Sequence, residues 1–232
     1  MLPVSPAMPW IRRSLTVSGF ALAVLATLWA VLVVRAPLDS MQGVIQKVLY
    51  VHVPCAFSAY AGFIGTALCS ALYLWSNDER FDRFAAASAE VGVVFCTLVI
   101  LTGPIWAKGT WGHWWAWDPR LTVTLLLWFV YLAYLLLRSF TEGSARTARF
   151  AAVYGIAGVL AIPLNYFAID LFGGAAMHPD NLQRGSLGAG MGWPFAVGVA
   201  AGLAAYVHLL LLRTDLESLR AEAVDAERLA GG

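Results

Sequence analysis

Imidazole is the commonest metal ligand among side chains, and flat indole faces suit flat ligands. The chain of 232 residues holds only four histidines but ten tryptophans, and their placement is uneven. Trp106, Trp111, Trp114, Trp115 and Trp117 crowd into the single segment 106–120, with His113 among them. A membrane aromatic belt spreads its tryptophans over helix ends at both interfaces. One crowded segment points instead to an apolar surface held out for a flat ligand. Trp111, Trp114 and Trp115 stand at i, i+3 and i+4, so a helical turn there would put them on one face.

Two further histidines belong to other segments on the same side. His52 precedes Pro54 by two residues, and because proline disfavours helix before it, His52 is expected at or just outside the start of an apolar run. His178 lies within Ala176-Met177-His178-Pro179-Asp180, in a later connection. Two imidazoles from separate segments have the means to approach one iron from opposite faces. Each alone is more often just a polar loop residue, and the pair is stronger than either because both share a face with the tryptophans. His113 is read as solvated or facing an anionic edge before it is read as a ligand, and His208, at the far end of the last apolar run, as a packing or interfacial residue. Asp118-Pro119 has the form of a helix start, with Asp as N-cap and Pro at the first helical position. Arg120, Lys108 and Arg184 are partners for an anionic ligand group, or equally snorkel to lipid phosphate.

The elements that must carry these residues are membrane spans. The chain is 60% hydrophobic and 12% charged, with a mean hydropathy of +0.71, more apolar surface than a water-soluble domain of this size covers. A net charge of +1 gives no reason to expect nucleic acid. A helix needs about 20 apolar residues to cross the hydrocarbon. Six stretches qualify: 15–34, 50–75, 84–106, 121–137, 150–169 and 191–212. The first is too long for the h-region of a secretory signal and lacks a small-x-small cleavage site after it.

Of the fifteen Lys and Arg, ten fall in the N-terminus, 76–83, 138–149 and the C-terminal tail, against five in 35–49, 107–120 and 170–190. Both termini are therefore expected in the cytoplasm, with the tryptophan-rich loop between spans three and four outside. The fold class is an all-α membrane protein with one six-span domain over 1–213 and a short cytoplasmic tail, 214–232, at helical spacing. Cys55, Cys69 and Cys96 all lie in apolar runs without a Cys-x-x-Cys pair and read as packing residues. Glu90, an acid inside the third span, has three readings: a functional group, a protonated hydrogen-bond donor to a neighbouring helix, or a contact to a partner subunit.

The run Trp111-Gly-His-Trp-Trp-Ala-Trp-Asp-Pro-Arg120 resembles the signature Trp-Gly-x-Trp-Trp-x-Trp-Asp-x-Arg of the haem-handling proteins of cytochrome c biogenesis, with every defined position filled. Six spans in a chain of this length look like the CcmC (haem exporter protein C) family, and the resemblance runs from about Gln46 to the end of the sixth span. Leu49-Tyr50-Val51-His52-Val53-Pro54, and Thr102-Gly103 followed by Trp106 and Lys108, are similar to segments of that family.

The resemblance implies that His52 and His178 are axial ligands of haem iron, and that Trp111, Trp114, Trp115 and Trp117, with Asp118 and Arg120, form the platform around the porphyrin. It further implies haem b carried as a transported ligand at the periplasmic face of the bacterial inner membrane. The implied partners are a CcmE-like periplasmic haem chaperone, a small CcmD-like single-span subunit, a second membrane subunit (CcmB-like) and a cytoplasmic CcmA-like ATPase. The chain has no Gly-x-x-x-x-Gly-Lys-Ser/Thr loop, so hydrolysis of ATP falls to a partner and the protein itself is expected to be no enzyme. Two other classes compete. A membrane cytochrome b for electron transfer would place ligating histidines within facing helices, and the inner half of the chain offers only His208. A small-solute permease would line a midplane site with Glu90 and Asn165, but no repeat is visible and the tryptophan segment would go unexplained.

Overall fold

The computed structural model describes residues 9–140, 145–172, 178 and 187–230, and among them there is no β-strand, only an isolated bridge between Asp39 and Gly43. Among the described residues, six helical segments are long and apolar enough to cross a membrane. The first helix, α1 (Pro9–Arg35), is apolar on all sides and packs chiefly on the last. The Lys47 ammonium donates to the carbonyls of Val33 and Val34 at 2.9 and 3.2 Å, satisfying orphan acceptors at the C-terminal end of α1.

A 3₁₀ turn over Val44–Val48 runs straight into α2 (Leu49–Ser76), so His52 is a buried helical residue. This corrects the expectation that Pro54 would hold His52 at or outside the start of the span. Pro54 sits in the second turn of α2, where its missing N–H leaves one carbonyl, that of Tyr50, without its helical partner, and the preceding residues are already helical.

The next helix, α3 (Glu79–Trp111), starts at the Asp78 cap, whose carboxylate accepts from the Arg80 N–H at 2.9 Å. It lies against α2 so closely that a Cβ on Gly62 would stand 2.6 Å from the Gly92 Cα. Only glycines permit that approach. The helix outruns the expected end at 106 and stops at Gly112, whose φ of 84° is the left-handed conformation of a C-cap. Residues 112–118 are therefore not helical, and the single turn expected to align Trp111, Trp114 and Trp115 does not form.

The Asp118-Pro119 pair opens α4 (Pro119–Ser139) as expected, with the Asp118 carboxylate accepting the Leu121 N–H at 2.8 Å. The fifth span differs from the single run expected over 150–169. It is broken into α5 (Ala145–Gly158), α6 (Ala161–Tyr166) and α7 (Ala168–Phe172). The break after Gly158 is closed by tighter bonds, Leu160 N–H to Ala157 C=O at 3.2 Å and Ile162 N–H to Val159 C=O at 3.0 Å, with Pro163 in the turn that follows. The last helix, α8 (Gly192–Ala230), is continuous for 39 residues and extends as helix through residue 214 and beyond.

The core joins α2, α3, α4, α5 and α8, centred on Phe63 stacked against Tyr131 with ring centroids 3.8 Å apart. Charged side chains gather at the end of the bundle away from the tryptophans. Arg138 grips Asp82 through two bonds of 2.6 and 2.7 Å, and Arg213 of α8 grips the Glu90 carboxylate, with Nη2 2.8 Å from Oε1, while also bonding Glu217. Glu90 is thus an ion-paired residue of the α3–α8 contact. His208 hydrogen-bonds Ser18 at 3.0 Å and belongs to the α1–α8 contact, which agrees with its reading as a packing residue.

Candidate functional site

At the tryptophan end, α2, α3, α4, α6 and the segment 112–118 surround a cavity of about 200 Å³. His52 and His178 both line it, the first from α2 and the second from the chain after α7. Trp111 and Trp115 line it too, as do His113, Asp118 and Arg120. Trp114 and Trp117, 58% and 76% exposed, do not. Past the helix end at Gly112, the chain turns His113, Trp115, Ala116 and Asp118 to the cavity and leaves Trp114 and Trp117 outside it. Arg184, Met177 and Pro179 lie outside the described residues.

His52 is held on three sides. Its Nδ1 is 2.9 Å from Thr102 Oγ1, the Trp106 ring meets it edge-on at 5.8 Å, and Gly103 leaves room for it, since a Cβ there would stand 3.3 Å from Cε1. Trp106 is itself anchored by donating from Nε1 to Gln42 Oε1 at 2.9 Å. His178 is placed differently. Its backbone N–H donates to Asp118 Oδ2 at 3.1 Å, and its Nδ1 lies 3.5 Å from an Arg120 guanidinium nitrogen. Asp118 therefore serves two purposes at once, capping α4 and tethering residue 178 to it.

Arg120 also donates to the Tyr166 carbonyl of α6. Behind it, the Asn165 amide donates to Thr124 Oγ1 at 2.8 Å and to the Arg120 carbonyl at 3.2 Å, while accepting from the Tyr60 hydroxyl of α2. Asn165 is 3% exposed, so this network joins α2, α4 and α6 inside the protein. Lys108, by contrast, donates to the Gly112 carbonyl at 2.7 Å and lies 6.0 Å from the centre of the Trp114 ring, off the cavity wall.

Tyr60 and Thr124 are the residues of this region that the sequence does not single out, since tyrosine and threonine are ordinary in membrane helices. Thr102-Gly103 carries a signal through the segment it shares with the resemblance, Trp106 through the crowding of tryptophans, and Asn165 enters only as the midplane residue of a permease.

The chemistry of the lining suits a flat, metal-bearing ligand with acidic edges. The cavity is smaller than the roughly 300–1,000 Å³ of pockets that enclose a drug-sized molecule, so a macrocycle would be held along one edge and stay open on another. Among the described residues, no group of three or more His, Cys, Asp or Glu is placed to hold a metal ion, and two imidazoles suffice only for a metal that brings its own equatorial ligands. The buried Trp115 indole N–H has no hydrogen-bond partner among the described residues, which leaves a donor on the wall for a ligand oxygen.

Comparison with known proteins agrees with this geometry. The family model described as CcmC, Heme exporter protein C, matches residues 5–228. The chain is similar to Heme exporter protein C of Haemophilus influenzae, 31% identical over 192 residues that cover 81% of this chain and 77% of that protein. It is similar to Heme exporter protein C of Paracoccus denitrificans, 29% identical over 218 residues covering 92% and 87%. A putative cytochrome c biosynthesis ccmC-like mitochondrial protein of Marchantia polymorpha is 33% identical over 150 residues, 65% of this chain and 61% of the length of that protein. With a match over nearly its whole length, on a six-helix apolar fold with two of the signature tryptophans, Trp111 and Trp115, at one cavity, the chain belongs to the CcmC, haem exporter protein C, family.

Proposed function

We propose that the protein acts in haem transport for cytochrome c biogenesis, binding haem b in the tryptophan-end cavity and presenting it to a periplasmic haem chaperone. The observation that carries this reading is the meeting of His52 and His178, far apart in sequence, on the wall of one cavity with Trp111 and Trp115. In this reading the two imidazoles take the iron from opposite faces, the indoles shield the ring, and Arg120 with the Trp115 N–H meets the propionates. Trp114 and Trp117, exposed beside the cavity, extend the apolar surface on which the chaperone docks.

The excess of Lys and Arg in the segments at the Arg138 and Arg213 end supports a cytoplasmic placement for that end and a periplasmic one for the cavity, in a bacterial inner membrane. The chain is then a haem-delivery subunit of an ABC-type complex, with a CcmB-like membrane subunit, a CcmD-like single-span subunit and a CcmA-like ATPase that hydrolyses ATP. The permease alternative is not favoured, because Asn165 lies at the cavity while Glu90 is ion-paired at the other end of the bundle, so the two share no site. A two-haem cytochrome b is not favoured either, since His208 is engaged with Ser18 between α1 and α8.

The test is the visible spectrum of the purified protein, oxidised and reduced, expressed with its partners. The Soret band is expected to be lost or shifted in His52→Ala and His178→Ala and kept in His208→Ala. A wild-type protein without haem, or loss confined to His208→Ala, would sink the reading.

A further inference from the structure

We infer that Thr102 is a positioning residue that fixes His52 in the tautomer with hydrogen on Nδ1, so that the bare Nε2 is the nitrogen offered to the cavity. The inference deepens the proposed haem site and rests on that reading for its purpose, though not for its geometry.

A threonine hydroxyl has one hydrogen to give. Thr102 Oγ1 lies 2.7 Å from the Leu98 carbonyl, one turn back on α3, and 3.4 Å from that of Val99. At 2.7 Å two acceptor oxygens with no hydrogen between them repel, so the hydroxyl hydrogen is committed to its own helix. The same oxygen is 2.9 Å from His52 Nδ1. With its hydrogen spent, Thr102 has only a lone pair to present there, and the imidazole must be the donor. Nδ1 carries hydrogen, and in a neutral ring Nε2 then carries none.

The surroundings keep the ring in this pose. A side chain at 103 would press on Cε1, and Trp106 meets the ring edge-on. His52 is only 8% exposed, so water has little access to compete for Nδ1. A bare Nε2 is the form that ligates a metal, and an N–H donated to a fixed acceptor both sets the direction of the lone pair and raises ligand basicity. Losing such an outer partner typically weakens metal binding about 10- to 100-fold.

The full chain, labelled with nitrogen-15 in histidine and purified haem-free in detergent, reads the tautomer directly, with the His52 signals assigned by their absence in His52→Asn. Wild type is expected to show a protonated Nδ1 and a bare Nε2, and the reverse pattern would overturn the inference whatever the variants do. Thr102→Val, close in shape but without the acceptor, should mix the tautomers and weaken haemin binding about 10- to 100-fold, while Thr102→Ser should restore both. An unchanged tautomer and affinity in a folded Thr102→Val would also overturn it. If wild type binds no haemin at all, the haem reading fails and the wild-type tautomer alone decides this inference, as it does if Thr102→Val does not fold.

Discussion

The two candidate ligands are not equivalent. His52 is clamped between Thr102, Gly103 and Trp106 on continuous helices, whereas His178 hangs from Asp118 by its backbone and faces Arg120 with its ring. A guanidinium has no acceptor, so the nitrogen facing Arg120 is in the position of an acceptor, and any ligation through it requires the ring to leave that neighbour. A holder that must also release its ligand benefits from one fixed and one replaceable contact. The tryptophans divide in the same manner. Trp111→Ala and Trp115→Ala should weaken haemin binding by about tenfold, the loss of roughly 1.4 kcal/mol of ring contact, while Trp114→Ala and Trp117→Ala should stay within about twofold. Soret titration of the four purified variants checks this, and four equal losses would refute the division. The crowding of these indoles was plain in the sequence. Which of them face the cavity was not, because it depends on α3 ending at Gly112 and not one turn later.

Among the elements, apolar length alone located six spans, since each must cover the same hydrocarbon thickness. Length says less about where helices overrun or break. The third span gains its last turn because the chain stays helical through Gly109 until Gly112 takes the left-handed conformation, and the fifth is broken where Gly158 and Pro163 flank residues as apolar as the rest. Polar joints between helices were also illegible, since Tyr60, Thr124 and Asn165 become partners only when α2, α4 and α6 meet.

That joint supports the wall bearing Arg120 and makes its own prediction. Asn165→Leu strands the Tyr60 hydroxyl inside the protein, while Thr124 keeps its bond to the Arg120 carbonyl, and should destabilise by about 1–3 kcal/mol. Tyr60→Phe should cost less, and the double variant less than the sum, because both remove the same bond. Thermal unfolding in mild detergent measures the cycle, and strict additivity would show that the bond contributes nothing. At the end of α3, Gly112→Ala places a Cβ in the left-handed region at a cost of about 1 kcal/mol. Its expected effect is weaker haemin binding with an unfolding temperature lowered by only about 2–4 °C, since the strain falls on the segment that aims Trp115 and not on the core.

At the scale of the molecule the two ends of the bundle have separate tasks. One end gathers imidazoles and indoles about an open cavity. The other is tied by Arg138–Asp82 and by Arg213 with Glu90 and Glu217. Sequence alone left Glu90 open between a functional and a structural acid, because its partner lies on α8, more than a hundred residues away. The ion pair argues for structure, and because its side chains are only partly buried, 24% and 36% exposed, its energetics lie between those of surface and of buried pairs. Removing one member leaves the other charge without its partner, whereas removing both replaces the pair by groups that need none. Arg213→Met alone should therefore destabilise by about 1–2 kcal/mol, between the ranges of exposed and buried pairs, and Glu90→Gln with Arg213→Met should recover part of that loss. Haemin binding at the far end should be unchanged in both folded proteins. A double variant no more stable than Arg213→Met would show that the pair is not what Glu90 provides, and a double variant that folds but no longer binds haemin would return Glu90 to the functional residues.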